Sequence, residues 1–388
     1  MKIVIALDSF KGSCSAQAAC AAVAAGLRRV DTELELVEMP VSDGGEGLLQ
    51  TLAHSPLLPA ATWHEQRCRG PYGAEVNGAY LNLGDGGAVV EMAQCCGLEL
   101  TPPAQREVGR ASSYGLGQML RAALDGGGER LIVGLGGSAS NDGGVGCAQA
   151  LGVRFYRDDG SLLAAGACGD DLAHIARVDM ASLDPRLRHC DLAASCDVSN
   201  PLLGPHGATW VYGRQKGADD AALSALEAGM TNLARVMEAA SGRCISDQPG
   251  AGAAGGMGAM LQWLCGARLV PGIELVLRLL DAERHLQQAS LAIVGEGRLD
   301  RQSAFGKAPI GVAGAAARCG VPTIALCGDR DKDSRELYQH HLQAMWSICP
   351  RPMALAESIS ACESLLADTA ENLLRTLRVG ASMASVGR

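Results

Sequence analysis

Apolar residues fall along this chain in two alternating patterns, and together they predict an α/β protein. Residues 2–7 are a short continuous apolar run, the pattern of a strand buried on both faces. From about Ser15 the period changes, and Ala19, Val23, Leu27 and Val30 recur at helical spacing on one face. Residues 34–41 predict a second strand, and a helix follows to about His54. Both strands end in polar turns, Asp8-Ser9-Phe10-Lys11-Gly12-Ser13 and Ser42-Asp43-Gly44-Gly45-Glu46-Gly47. Two successive βα units predict a doubly wound, Rossmann-like parallel sheet, whose ligands bind outside the carboxyl ends of the strands.

The pattern then changes. Residues 62–69, 73–83 and 88–92 predict strands, the last two joined by the hairpin signal Gly84-Asp85-Gly86-Gly87. This marks entry into a second domain with antiparallel pairing. A helix over 112–124 leads to the strand Leu131-Ile132-Val133, and residues 153–156 and 190–195 predict two more strands. A long helix is expected over 219–240, and another from about Ala259, after a Gly-rich stretch at 250–258 whose small residues suit close helix packing. Alternation of strand and helix returns with strands at 291–294, 323–327 and 345–348. Gly306-Lys307-Ala308-Pro309 opens a helix between the first two, and an amphipathic helix spans 357–377. The expected organisation is therefore a discontinuous Rossmann-like domain, residues 1–62 and 288–388. A second α/β domain with a mixed sheet, residues 63–287, is inserted into it, with the active site in the cleft between.

Composition narrows the class. At 388 residues the chain exceeds one typical core. Only 3% of residues are aromatic against 48% hydrophobic, so the cores must be built from Ala, Val, Leu and Ile, which suits helices packed closely on sheets. A net charge of −9 argues against nucleic acid or an acidic membrane surface as partner. Fifteen cysteines are scattered, without a CxxC pair or zinc spacing. The amino terminus runs straight into a strand pattern rather than a signal peptide, and no apolar stretch is long enough to span a bilayer. A soluble protein of the reducing cytoplasm is expected.

The candidate chemistry centres on Gly134-Leu135-Gly136-Gly137-Ser138-Ala139-Ser140-Asn141-Asp142-Gly143-Gly144, between a predicted strand and a predicted helix. Strand, Gly-rich turn and helix together aim backbone N–H groups at an anion. Other polar residues gather at strand ends: Asp8, Lys11, Asp43, Asp197, Asn200, Glu296, Arg298, Asp300 and Lys307. Ordinary caps and turns use the same residue types, but several carboxylates mixed with several cations beside Gly-rich turns fit phosphoryl transfer. Carboxylates supply the hard oxygens that Mg2+ needs, cations and N–H groups hold phosphates, and one carboxylate can take the proton of an attacking hydroxyl. A Walker P-loop is absent. Two rivals stand beside this reading. Gly134-x-Gly136-x-x-Ala139, with Asp158 beyond the next strand, resembles a dinucleotide fingerprint and would suit a dehydrogenase of small hydroxy acids. A non-catalytic anion-binding protein is the other, though it would not need so many carboxylates.

The segments 8–13, 40–47, 136–144, Cys196-Asp197-Val198-Ser199-Asn200-Pro201-Leu202, Gln215-Lys216-Gly217-Ala218, 250–258 and Gly295-Glu296-Gly297-Arg298-Leu299-Asp300 with Gly306-Lys307 resemble, in order, the bacterial glycerate kinase family of type I. The resemblance runs over nearly the whole chain. It implies ATP-dependent phosphorylation of D-glycerate with Mg2+, to 2-phosphoglycerate or 3-phosphoglycerate, the former being nearer. Chemistry placed on the family motifs assigns Lys11, Arg298 and Lys307 to carboxylate or phosphate contact. Asp8, Asp43 and Asp197 orient hydroxyls, with Asp197 as general base, and Ser9 and Asn200 complete the substrate set. Catalysis is assigned to Asp197, Lys11 and Asp43. Gly136, Gly137, Ser138, Asn141 and Lys216 are assigned to the nucleotide phosphates, and Asp142, Glu296 and Asp300 to Mg2+. Leu7 departs from the family, which has proline there, and residues 327–330 are less typical. Monomer and homo-oligomer both remain open.

Overall fold

The computed structural model describes residues 1–304 and 307–386, so Gly306 of the expected helix start lies outside the described residues. Its strands are β1 (Lys2–Leu7), β2 (Glu35–Glu38), β3 (Thr62–Arg69), β4 (Glu75–Asn82), β5 (Gly87–Glu91), β6 (Arg130–Gly134) and β7 (Arg154–Tyr156). They continue with β8 (Arg177–Asp179), β9 (Asp191–Ser195), β10 (Arg268–Val270), β11 (Leu291–Leu299), β12 (Thr323–Arg330) and β13 (Ala344–Ser347). The chain forms two compact units. The first contains Met1–Asp43, Gln50–Pro59 and Ile273–Arg388, and the second Gly44–Leu49 and Ala60–Gly272.

In the first unit five parallel strands run in the order β13-β12-β11-β1-β2. The apolar run of β1 is buried throughout from Ile3 to Leu7, as continuous hydrophobicity requires of a central parallel strand. Helix Ala16–Arg28 starts where Ser15 accepts the Ala18 N–H at 3.1 Å, an N-cap that satisfies one of the orphan donors of the first turn. Its Ala19, Val23 and Leu27 pack with Leu366, Leu373 and Leu374 of the helix Cys362–Val386. The two helices approach so closely that a Cβ on Gly26 would lie 2.0 Å from the Ala367 carbonyl. Val30 falls beyond the helix end, and β2 is shorter than expected. Met39 and Val41 still bond to Ile5 and Leu7 of β1, but Pro40 between them has no N–H for a regular ladder. The single helix expected over 357–377 is two, Leu355–Ser360 and Cys362–Val386. β11 and β12 outrun their apolar cores and carry charged residues beyond them, which positions Glu296 and Arg298.

The second unit is built on the order β10-β9-β6-β5-β4-β3. β3, β4 and β5 are antiparallel, and β5, β6, β9 and β10 are parallel. The Gly84–Gly87 hairpin forms as the turn residues require. Two strands, β8 and β10, carry too few apolar residues to stand out in the sequence. β7 lies outside the main sheet, paired antiparallel with β8. The helix recorded as Ala253–Cys265 holds Ala254, Gly255 and Gly256 at positive φ, so its regular part begins after Gly256. Among the described residues no helix is long and apolar enough to cross a membrane.

Candidate active site

Within the second unit, a cavity of about 230 Å³ opens at the carboxyl ends of β6 and β9. Its floor is the turn after β6, with Gly136, Gly137 and Ser138, and its wall includes Asp197, Tyr212 and Lys216. Gly136 admits no side chain, because a Cβ would come within 2.9 Å of the Gly45 Cα, and Gly137 sits at φ +70°. Lys216 is 2% exposed. Its ammonium donates to Ser138 Oγ at 2.9 Å and to the Ser140 carbonyl at 2.6 Å. Burial lowers its pKa to about 8, against the opposing pull of the Asp142 carboxylate. The Ser140 hydroxyl beside it is buried without a hydrogen-bond partner. A buried cation beside closely approaching glycine backbone is a site for an anion.

Three residues expected at this site serve it from behind. Asp142 is fully buried and faces no cavity. Its carboxylate accepts the Ser113 N–H and hydroxyl at 2.8 and 2.7 Å, and the Gly144 and Gly146 N–H groups at 3.1 and 3.2 Å. Those four bonds occupy its oxygens and fix the start of the helix Val145–Ala150, so Asp142, expected as a Mg2+ ligand, holds the turn in this structure. Asn141 is likewise buried, and its amide donates to Thr209 Oγ1 at 3.1 Å on the helix Ala208–Tyr212. It is a brace of the turn, not a group lining the cavity. Asn200 donates to the His206 carbonyl and accepts the Tyr212 hydroxyl at 2.7 Å. It orients Tyr212 against the cavity. Asp197 does line the cavity, with one oxygen accepting the Gly272 N–H at 2.9 Å.

The first unit assembles the other set. Asp8 ends β1, its N–H donating to the Gly295 carbonyl of β11 at 2.9 Å. The Asp8 carboxyl accepts the Ser9 N–H and is nevertheless pushed up to about 7, by burial first and then by the charges of Asp43 and Glu296. A cavity of about 790 Å³ is lined by Ser9, Lys11, Glu296, Arg298, Asp300 and Lys307, among others. Lys307 caps the helix Ala308–Arg318, with Pro309 in its first turn. The Lys307 ammonium lies 3.5 Å from Glu296 Oε2 and 3.9 Å from Asp300 Oδ1. Glu296 also accepts the Ser303 hydroxyl at 2.6 Å, and burial raises its pKa. Arg298 is paired with Asp329 and Asp331 beyond the apolar part of β12.

Sequence reasoning missed the residues that hold these groups. Ser113 supports Asp142, and Ser303 supports Glu296. Glu91, at the end of β5, is 0% exposed and accepts the N–H groups of Gly47 and Leu49 at 2.8 and 3.2 Å, anchoring the 44–49 loop. Ser113 had a signal, a Ser-Ser pair before a helix. Glu91 had none, since a carboxylate closing an apolar strand reads as a turn residue.

The dinucleotide reading loses its geometry. The ribose-binding acid belongs at the end of a strand parallel to and beside β6, and those neighbours are β5 and β9. Asp158 follows β7, which is outside that sheet.

Comparison with known proteins agrees with the phosphate reading. The model of the "Glycerate kinase family" matches residues 3–378. A glycerate kinase of Halalkalibacterium halodurans is 42% identical over 96% of this chain and 97% of its own length. A glycerate 2-kinase of Escherichia coli is 39% identical over 98% of this chain and 99% of its own. A crystal structure provisionally assigned as glycerate kinase 2 of Salmonella typhimurium superposes with a TM-score of 0.89 at 39% identity, covering 98% and 99% of the two chains.

Proposed function

The chain belongs to the glycerate kinase family, and from that premise we propose that it transfers the γ-phosphoryl group of ATP to D-glycerate, with 2-phosphoglycerate as product. The observation that carries the nucleotide half is Lys216. A buried ammonium whose hydrogen bonds go only to neutral oxygens retains charge for a phosphate, and the glycine turn lets the phosphate reach it. Leu98, Leu135 and Val198 give the same cavity an apolar wall for a base.

In the first unit, Lys11 and Arg298 would hold the carboxylate of glycerate, with Ser9 on a hydroxyl. Asp8 is the better placed proton acceptor, because a carboxyl poised near 7 both ionises at working pH and holds a proton once taken. Asp197, assigned as base from the sequence, would instead orient groups beside the phosphate turn, and Asp43 keeps the Asp8 pKa high. Mg2+ fits the residues present. It is commonly held by one or two carboxylates with substrate phosphates rather than by a full protein cage. Among the described residues no three acidic, His or Cys side chains converge as a cage. Glu296 and Asp300, both drawn to Lys307, are the pair that would hold it. When bound, it neutralises charge on the phosphates. A cytoplasmic location accords with this substrate class.

The test is a coupled kinase assay with D-glycerate, ATP and Mg2+, followed by phosphorus NMR of the product. Turnover with a 2-phosphoglycerate signal is expected. A 3-phosphoglycerate signal would overturn the regiochemistry, and no turnover with glycerate the whole reading. Lys216→Met should lower kcat/KM for ATP by roughly 10²- to 10³-fold, without lowering the melting temperature, since it removes a buried charge.

A further inference from the structure

We propose that Cys14 and Cys362 form an oxidisable thiol pair, at which a hydroperoxide closes a disulfide that weakens binding of the acceptor. All cysteines in the structure are free thiols. Cys14 closes the turn that carries Lys11: Phe10 and Cys14 exchange backbone hydrogen bonds of 3.0 and 3.1 Å around Lys11, Gly12 and Ser13. Its sulfur stands 3.5 Å from the sulfur of Cys362, the first residue of the carboxyl-terminal helix. Cys362 also lines the 790 Å³ cavity, which gives a small oxidant a route to the pair. The two thiols share one hydrogen bond, which stabilises a thiolate on one sulfur while the other keeps its proton. Cys14 is half-buried and Cys362 buried, so Cys14 is the sulfur an oxidant reaches first and the attacking one. Cys95, which hydrogen-bonds both Cys68 and Cys96, is 0% exposed, as is Cys96, with Cys68 at 3%, and none of the three lines either described cavity.

The chemistry balances with hydrogen peroxide as oxidant. The Cys14 thiolate attacks one peroxide oxygen, the O–O bond breaks, and Cys14 becomes a sulfenic acid while hydroxide leaves and takes up the proton that Cys14 released. The Cys362 thiolate then attacks the sulfenic sulfur. The S–S bond forms, the S–O bond breaks, and the departing hydroxide takes the proton from Cys362. Two thiols lose two electrons and two protons, and one peroxide becomes two waters. The sulfurs, now in van der Waals contact, must draw together, and Gly12 at φ +78° is the point at which the turn can bend. Lys11 and Ser13 line the cavity from that same turn, so the bond moves a cation that the acceptor needs. This consequence rests on the reading that glycerate occupies this cavity.

The test treats the reduced full-length chain with hydrogen peroxide, blocks remaining thiols by alkylation, and combines peptide mapping with kinetics. A linked Cys14–Cys362 peptide, two hydrogens lighter than its parts, is expected. With it, KM for glycerate should rise about tenfold, the loss of one charge-assisted contact, and recover with dithiothreitol. Cys14→Ser should keep the reduced-state KM and lose the response, and Cys362→Ser should also lose it. Cys14 and Cys362 both alkylated, while peroxide modifies other cysteines, overturns the pair. A linked peptide with unchanged KM overturns the control of binding. A linked peptide in a chain inactive on glycerate supports the pair and sinks the substrate reading instead.

Discussion

Asp8 and Lys216 are charged in opposite senses, yet burial drives both toward neutrality. For Asp8 the sign is fixed by its raised pKa. The folded state holds the proton more tightly than the unfolded chain, so stability falls as pH rises from the ordinary carboxylate range to about 7, above which the full cost remains. Asp8→Asn should therefore raise the melting temperature at pH 8 and leave it nearly unchanged at pH 4, a gain of a few kcal/mol at most. A fall in kcat/KM is expected of the parent enzyme as pH drops below about 7, and the same variant should abolish it along with most activity. A variant that kept both the acid limb and the activity would remove Asp8 from proton transfer. Lys216 has the inverse linkage. A bound phosphate restores its charge, so nucleotide binding near pH 8 should take up a proton, and affinity should weaken as pH rises further. Calorimetry in buffers of different ionisation enthalpy measures that uptake, and a buffer-independent heat at pH 8 would contradict it.

At the scale of elements, the turn after β6 depends on a neighbour that does not line its cavity. Gly255 sits at φ +69°, and a Cβ there would fall 2.2 Å from the Ser140 carbonyl, the acceptor that holds Lys216. Gly255→Ala should cost about 2–4 kcal/mol by urea denaturation and weaken nucleotide binding more than glycerate binding. Equal loss of both would show general damage instead. The Gly-rich stretch was legible as a place of close packing, and that is its role at Gly255, though Ala253 and Ala254 also reach the cavity. Long apolar strands such as β1 and β6 were legible almost to the residue, because continuous burial writes itself into composition. β8 and β10 were not, because three residues are too few to leave a period to read. The site divides the same way. That Lys11 and Glu296 share one cavity, and Ser138 and Lys216 the other, accords with their motifs. That Asp142 and Asn141 turn inward could not be read from theirs, because a turn's sequence states which groups it offers but not which face meets the core.

For the whole molecule, the two proposed ligands are assigned to cavities lined by different units. Hydrogen exchange should resolve them. Glycerate alone is expected to protect segments 8–14 and 296–300, and nucleotide alone segments 134–146 and 212–217. Protection of the phosphate turn by glycerate alone would reassign the acceptor.

The sheet of the first unit joins distant parts of the chain: residues 3–7 of β1 pair with residues 291–295 of β11. During synthesis β1 therefore leaves the ribosome long before its central partner exists, while everything the second unit requires is already made. The nascent chain must carry the bare sequence Ile3-Val4-Ile5-Ala6-Leu7 through most of translation. Exposed apolar segments of this kind are what chaperones shield from aggregation. Chains stalled at residue 287 should yield a protease-resistant second unit behind a cleavable leading segment.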